Sequence, residues 1–351
     1  MDGISIIIPV YNTPKELLKR CLDSIENQRI ENYEVIFVDD GSSKECAKFV
    51  DSLSGGRISV FHTVNNGSAM ARNYGVEHAQ YEYMMFVDSD DLIMPNLLKD
   101  AEDAINKYDA DMVIGLVKRF APDENIELPE AGPASVDHVL LDSPELISEY
   151  VNHMLGFTSQ LLTFEDGYVG DGPVARVCKT DLVREALFTS ENCWSDDTIW
   201  NLKFSKKCSK IVIEESIWYL YLLNDNSKTR KYRPKCPDEF RYRVRQEYDL
   251  VREIWPNCMK GIWIRVWGDT AILFRTYLEN PGNVSDKKEK LKTYHDCIHN
   301  EIYQRMLRNI SFDNDPRISH KIVKQVMRLS MLWNMDILSY NLWKLLIARN
   351  S

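Results

Sequence analysis

Residues 4–10, Ile-Ser-Ile-Ile-Ile-Pro-Val, form a β-branched run of the kind a strand buried on both faces requires. Thr13-Pro14-Lys15-Glu16 follows as a helix start, with Thr13 as cap, Pro14 at the first helical position and Glu16 closing a capping box. Leu17, Leu18, Cys21, Leu22 and Ile25 continue at helical spacing. A second strand over 34–38 ends at Asp39-Asp40-Gly41-Ser42-Ser43, and Ser42 with Glu45 offers a capping box for a helix through Phe49, Val50 and Leu53. Gly55-Gly56 breaks that helix ahead of a short strand over 58–62. Asn65-Asn66-Gly67 turns into a helix over about 68–79, and residues 83–87 form a strand that runs directly into Asp88-Ser89-Asp90-Asp91. A Pro95-started helix and a strand over 111–117 complete the alternation. Strands and helices in this order predict an α/β domain with a mostly parallel sheet flanked by helices.

The pattern then changes. Residues 121–170 are rich in Pro, Gly and acidic residues and read as an insertion or a set of acceptor-side loops. From about Glu239 the spacing is helical, continuing over 261–279, 286–309 and 318–349, with breaks at Pro281-Gly282 and between Asp313 and Pro316. The expected organisation is an α/β domain over 1–235, its acceptor-side part over 121–235, and a helical C-terminal domain over 236–351.

Composition narrows the function classes. A formal charge of −10 argues against a surface devoted to nucleic acid. The eight cysteines include no Cys-x-x-Cys pair, so a zinc ribbon or thioredoxin-like site lacks its signature. No signal-peptide pattern opens the chain, and no apolar run approaches the roughly 18–20 residues that span a bilayer. The expected location is cytoplasmic, at most peripheral at the inner face of the membrane.

In an open parallel sheet, ligands bind beyond the carboxyl ends of the strands. Two carboxylate clusters fall there: Asp39-Asp40 and Asp88-Ser89-Asp90-Asp91. Crowded like charges need compensation. A divalent cation carrying a diphosphate supplies it, and hard oxygen ligands suit Mg²⁺ or Mn²⁺. Neither a G-x-x-x-x-G-K-[ST] loop nor a G-x-G-x-x-G follows the first strand, which ends Pro9-Val10-Tyr11-Asn12.

Ile6 to Asn12, Val38-Asp39-Asp40-Gly41-Ser42, Ala71-Arg72-Asn73-Tyr74-Gly75 and Val87-Asp88-Ser89-Asp90-Asp91 together resemble the family 2 glycosyltransferases. These are inverting enzymes of GT-A fold that use nucleotide-activated sugars in bacterial glycan and polysaccharide biosynthesis. The likeness is tight over the first 95 residues, looser to about 230, and does not visibly cover the helical tail. It implies a UDP-sugar donor whose uracil imide N–H is accepted by Asp40, with Asp39 as the alternative, in a pocket lined by Pro9, Val10 and Tyr11. It also implies that Arg72 lies near the nucleotide and that Asp88-Ser89-Asp90 is the DXD motif. Asp88 then contacts ribose or metal, and Asp90 ligates the Mn²⁺ or Mg²⁺ that bridges the diphosphate.

An inverting transfer needs a base for the attacking hydroxyl. Ser195-Asp196-Asp197-Thr198-Ile199-Trp200 resembles the family's acceptor-side motif, with Asp197 the expected base and Asp196 its alternative. A helix-start role favoured by the macrodipole is open for both. The stretch 222–230 lacks the family's His, leaving Asp225, Lys228 or Arg230 as substitutes. The acceptor is a glycan, glycolipid or glycoprotein hydroxyl. A non-catalytic binding partner of another transferase is the competing function.

His295 and His299, four apart on a helix, have no adjacent acid that makes them a zincin motif and read as surface residues, and Trp255, Trp263, Trp267, Trp333 and Trp343 as helical core. Between 317 and 351, six basic residues stand against Asp336 alone, among many Leu, Met and Trp side chains. That composition suits either contact with an anionic membrane surface or a homodimer or subdomain core.

Overall fold

The computed structural model describes residues 1–121, 138–157, 159–189, 196–223, 231–312 and 318–349. Four strands open the chain: β1 (Ile4–Val10), β2 (Tyr33–Asp40), β3 (Ile58–Thr63) and β4 (Tyr83–Phe86), separated by α1 (Lys15–Glu26), α2 (Lys44–Asp51) and α3 (Ser68–His78). They are followed by β5 (Leu92–Ile93), α4 (Leu97–Tyr108), β6 (Met112–Phe120), β7 (His138–Leu141), α5 (Pro144–Met154), β8 (Arg176–Lys179), α6 (Thr180–Arg184), α7 (Asp196–Ser205) and β9 (Ile211–Leu222). Among the described residues these strands form one sheet in the order β3-β2-β1-β4-β8-β6-β9-β5, with β7 also pairing β9. The block β3-β2-β1-β4 is parallel, as is the β6–β9 pair. β8, β5 and β7 join antiparallel.

β1 is buried along its whole length. Ile4, Ile6, Ile8 and Val10 share a core with Leu18 and Leu22 of α1 and Leu97, Leu98 and Ala101 of α4. Ile7 points to the opposite face, where α3 lies so close that a Cβ on Gly75 would stand 2.3 Å from Ile7 Cγ2. Glycine at 75 therefore sets the approach of α3, and with it the position of Arg72 one turn earlier.

Two helix starts differ from the sequence reading. The residue flanking α1 is Pro14 and makes no side-chain cap, while the Thr13 hydroxyl shares a hydrogen bond with Ser89 Oγ at 2.6 Å. α2 is capped by Ser43, whose hydroxyl accepts from Cys46 N, because Ser42 Oγ already accepts the Asn12 N–H. Residues 121–170 also hold more order than expected, in β7 and α5.

The chain divides into two compact units, Met1–Ile147 with Thr163–Leu223, and Ser148–Leu162 with Asn224–Ser351. The second contains α8 (Cys236–Ile254), α9 (Met259–Leu273) with a π-turn over Phe274–Leu278, α10 (Lys287–Ile298), α11 (Glu301–Asn309), α12 (Ile318–Leu332) and α13 (Asp336–Arg349). Trp255, Trp267 and Trp343 are buried there and Trp263 is half-buried, but Trp333 is exposed. Arg243, Glu247 and Asp269 form a buried ion network, with Arg243 Nη2 2.9 Å from Asp269 Oδ1. The described cysteines, which exclude Cys193, are free thiols. No helix among the described residues is long and apolar enough to cross a membrane.

Candidate active site

β2, β1 and β4 lie side by side and parallel, so their carboxyl ends bring three sequence segments together. The first two are locked to each other. Asn12 N donates to Ser42 Oγ at 2.9 Å, and Ser43 N donates to Asn12 Oδ1 at 2.8 Å. Asn12 takes a left-handed backbone to do this, a conformation asparagine tolerates. Tyr11 beside it is 57% exposed, while Pro9 and Val10 are buried in the strand. Val10 is wholly buried in the core and offers no exposed surface for the base pocket that the sequence reading gave it.

Asp39 and Asp40 are both buried and both hydrogen-bonded within the fold. Asp39 Oδ1 accepts from Ser42 N at 3.1 Å, and its Oδ2 lies 2.8 Å from His62 Nδ1. His62 Nε2 in turn lies 2.8 Å from Asp51 Oδ1, and these two carboxylates, Asp51 first, raise the imidazole above its usual value. Asp40 Oδ1 and Oδ2 accept from Asn66 N and Gly67 N, each at 2.8 Å. Gly67 has a φ of 90°, which glycine adopts without strain, and it opens α3. Asp40 thus fixes the entry to the helix that carries Arg72.

Arg72 is buried and reaches two acids distant in sequence. Its Nη2 donates to Asp88 Oδ1 at 2.6 Å and its Nη1 to Asp197 Oδ1 at 3.3 Å. The guanidinium lies 5.6 Å from the Phe188 ring and 6.0 Å from that of Phe86. Burial works against its charge, but Asp88 and Asp197 more than offset this and raise its pKa. Among the described residues Arg72 Nε, also buried, has no hydrogen-bond partner. Asn73 holds the next contact, donating to Phe188 O and accepting from Phe188 N, both at 2.9 Å.

Phe188 extends this link to α7. Its ring stacks on Trp200 at 5.1 Å, and Trp200 stacks on Phe204 at 5.1 Å. α7 is therefore anchored through its buried aromatics, and its first turn presents Asp196 and Asp197. The Asp197 side chain is 48% exposed.

The Asp88–Asp91 turn is held from β9. Tyr219 Oη accepts from Asp88 N at 3.0 Å and donates to Asp91 Oδ2 at 2.8 Å. Asp91 Oδ1 accepts from Leu222 N at 2.8 Å. Burial, then Asp88 and Asp90, push the Asp91 carboxyl well above the usual range. Asp91 is a buried anchor between the turn and the strand. Asp90 is less enclosed, and its pKa is pushed up to about 6 by burial and by Asp88. Ser89 is buried against Thr13.

Arg72 thus meets Asp88 of the turn and Asp197 of α7, and Asp88 in turn acts on Asp90. Carboxylate oxygens such as those of Asp88 and Asp90 are of the kind a hard divalent cation takes, and a cation there would relieve their repulsion. From the sequence, Asp39, Asp40, Asp88, Ser89 and Asp90 were expected at the strand ends, Arg72 near the nucleotide and Asp197 on the acceptor side; all lie in the same unit. It missed Tyr219, His62, Asn73 and Phe188, whose roles depend on pairings distant in sequence. Asp225, Lys228 and Arg230 lie outside the described residues.

The family model for glycosyl transferase family 2 matches residues 5–141. Glycosyltransferase GlyG of Streptococcus pneumoniae serotype 4 is 30% identical over 234 residues, 65% of this chain and 73% of that protein. The uncharacterized glycosyltransferase EpsJ of Bacillus subtilis is 25% identical over 237 residues, 66% of this chain and 64% of that one. Among solved structures, S. aureus TarS 1-349 in complex with UDP-GlcNAc matches with a TM-score of 0.66 at 16% identity, covering 97% of this chain and 90% of that chain. The last is a likeness of fold, an α/β sheet with a helical C-terminal region. The identity shared with GlyG over most of its length, together with the family model on the strands that build the site, shows that the chain is a glycosyltransferase belonging to glycosyl transferase family 2.

Proposed function

We propose that the chain transfers a sugar, with inversion, from a UDP-sugar to a hydroxyl of a glycan, glycolipid or glycoprotein acceptor. The observation that carries this reading is the shared guanidinium: Arg72 joins Asp88, on the donor-side turn, to Asp197 at the start of α7. One cation thereby sets the spacing between the acid expected at the diphosphate and the acid expected at the acceptor. The buried Nε of Arg72 adds a donor suited to an anionic oxygen.

Asp88 and Asp90 would hold Mn²⁺ or Mg²⁺, whose charge offsets the negative charge that develops on the departing diphosphate. Tyr219 and Asp91 keep that turn in place. Tyr11, exposed beside the Asn12–Ser42 lock, offers a ring to the uracil. Asp39 and Asp40 keep the walls of that pocket, and each carboxylate retains acceptor capacity beyond the bonds described, which suits an imide N–H. Asp197 takes the proton of the acceptor hydroxyl as its oxygen bonds to the anomeric carbon and the bond to the diphosphate oxygen breaks. Arg72 Nη1 lies 3.3 Å from Asp197 Oδ1 and positions that carboxylate. Asp196 is the alternative base.

TarS, similar in fold, binds UDP-GlcNAc in the matched structure, which supports a UDP-linked donor. Nucleotide release across a panel of UDP-, GDP- and dTDP-sugars tests the reading. Release from UDP-sugars alone, with product of inverted anomeric configuration by proton NMR, is expected. Comparable release from GDP-sugars, or retained configuration, contradicts it.

The helical unit exposes Ile322, Trp333, Ile337 and Leu345. Two of the tail's basic residues are engaged within that unit: Arg328 donates to Leu307 O and Arg308 O, and Lys344 pairs with Glu279. This favours a second copy over an anionic leaflet as the partner of these side chains. Sedimentation is expected to show a dimer, and flotation with anionic vesicles to show no binding.

A further inference from the structure

The helical unit carries a second cluster of ligating side chains that the transfer reaction does not use. His295 lies in the last turn of α10, His299 is the residue flanking that helix, and Asp336 is the first residue of α13. The spacing of four puts both imidazoles on one face of the chain, with ring centroids 4.2 Å apart. Both turn to the same carboxylate: His295 Nδ1 lies 2.6 Å from Asp336 Oδ2, and His299 Nε2 lies 2.8 Å from Asp336 Oδ1. One ligand atom from each of the three residues falls within 4.8 Å of the others.

We propose that His295, His299 and Asp336 form a binding site for a first-row divalent transition metal, of which Zn²⁺ is the natural occupant by ligand chemistry. Two imidazole nitrogens and a carboxylate oxygen are the donors Zn²⁺ takes, at about 2.0–2.2 Å each. Ligands of a tetrahedral ion at that distance lie roughly 3.3 Å apart, so small side-chain movements convert the hydrogen-bonded cluster into a coordination shell. The carboxylate that both imidazoles meet is supplied from α13, by Asp336.

His295 is 49% exposed, which leaves a route for the ion and a fourth position for water. His299 and Asp336 are more enclosed, at 15% and 18%. Behind them, Gln304 Nε2 lies 3.3 Å from His299 Nδ1 and donates to Ile298 O at 3.0 Å. Metal on Nε2 moves the ring proton to Nδ1, and a half-turn of the Gln304 amide presents its carbonyl oxygen to accept it.

The consequence is mechanical. α13 already meets α10 through Tyr294 Oη, which donates to Ser339 Oγ at 3.0 Å, and through the edge-on Tyr294–Tyr340 pair. A metal bound at the start of α13 would replace the hydrogen bonds from His295 and His299 to Asp336 with coordinate bonds joining the two helices. Binding to the folded chain raises its melting temperature by mass action.

Calorimetry of Zn²⁺ into the metal-stripped, tag-free full chain tests the proposal, with excess Mg²⁺ and UDP present to occupy the carboxylate site. One equivalent is expected to bind and to raise the melting temperature. His295→Gln and His299→Gln are expected to weaken binding at least tenfold and to abolish that rise, while Asp90→Asn leaves both intact. X-ray absorption of the wild-type Zn²⁺ complex reads the same ligands without a substitution, and two imidazole scatterers are expected even if a histidine variant fails to fold. Absence of binding by the wild type, or a spectrum without imidazole, overturns the proposal and leaves the three residues as a hydrogen-bonded latch.

Discussion

Asp88 and Asp197 share one guanidinium: Arg72 donates to the first at 2.6 Å and to the second at 3.3 Å. Arg72→Gln removes the buried cation and leaves both carboxylates with a neutral neighbour. Removing one partner of a fully buried pair costs about 3–5 kcal/mol. Asp88 and Asp197 are partly exposed, at 32% and 48%, so solvent screening brings the expected loss to about 1–3 kcal/mol. A cycle with Asp88→Asn by denaturant unfolding should show coupling of about 0.5–3 kcal/mol. Additive losses would mean that the contact contributes nothing to the fold.

Asp197→Asn separates binding from chemistry. UDP affinity is expected to stay within a few-fold of wild type, while transfer falls roughly 10²–10⁴-fold, the usual reach of a general base. The same loss in Asp196→Asn with Asp197→Asn still active moves the base to the neighbour. Full activity in both variants removes the base from α7.

His62 gives the fold a pH dependence of defined sign. Asp51 and Asp39 raise its pKa above the reference of about 6.5. The stability it contributes is fully present below the unfolded value and is lost as pH rises through the higher folded value. Imidazole titration followed by NMR should place His62 above 6.5, and His62→Gln should flatten the stability profile in that window. A titration at or below 6.5 would contradict the bridge.

Gly75→Ala tests how α3 is seated. The added Cβ meets Ile7 Cγ2 at 2.3 Å, so overpacking should destabilise by about 1–3 kcal/mol. Combining it with Ile7→Ala should cost less than the two losses summed, by thermal or denaturant unfolding. Simple additivity would show that the helix has room to shift.

The sheet's N-terminal half was legible because doubly buried parallel strands read as unbroken apolar runs, as Ile4–Val10 does. β9 was not, since Glu214-Glu215-Ser216 interrupts its apolar pattern, and two-residue β5 is too short to carry one. Losing β9 hid Tyr219 and therefore the anchoring role of Asp91. The capping misreadings have a related cause. Thr13 and Ser42 offer the right side chains for helix starts, but contacts distant along the chain, to Ser89 and Asn12, claim them. His295 is exposed, as a surface reading expects, but the bonds of His295 and His299 to Asp336 were hidden because that residue lies far along the chain. Carboxylates at strand ends were visible; the guanidinium that joins them to α7 required the fold.

The proposed transfer depends most on the donor site at the end of β4. Calorimetric titration of UDP into the full chain with Mn²⁺, and again with EDTA, measures it directly. The expected result is saturable binding with Mn²⁺ that EDTA abolishes and that Asp90→Asn weakens strongly. Equal UDP affinity with and without metal would contradict it.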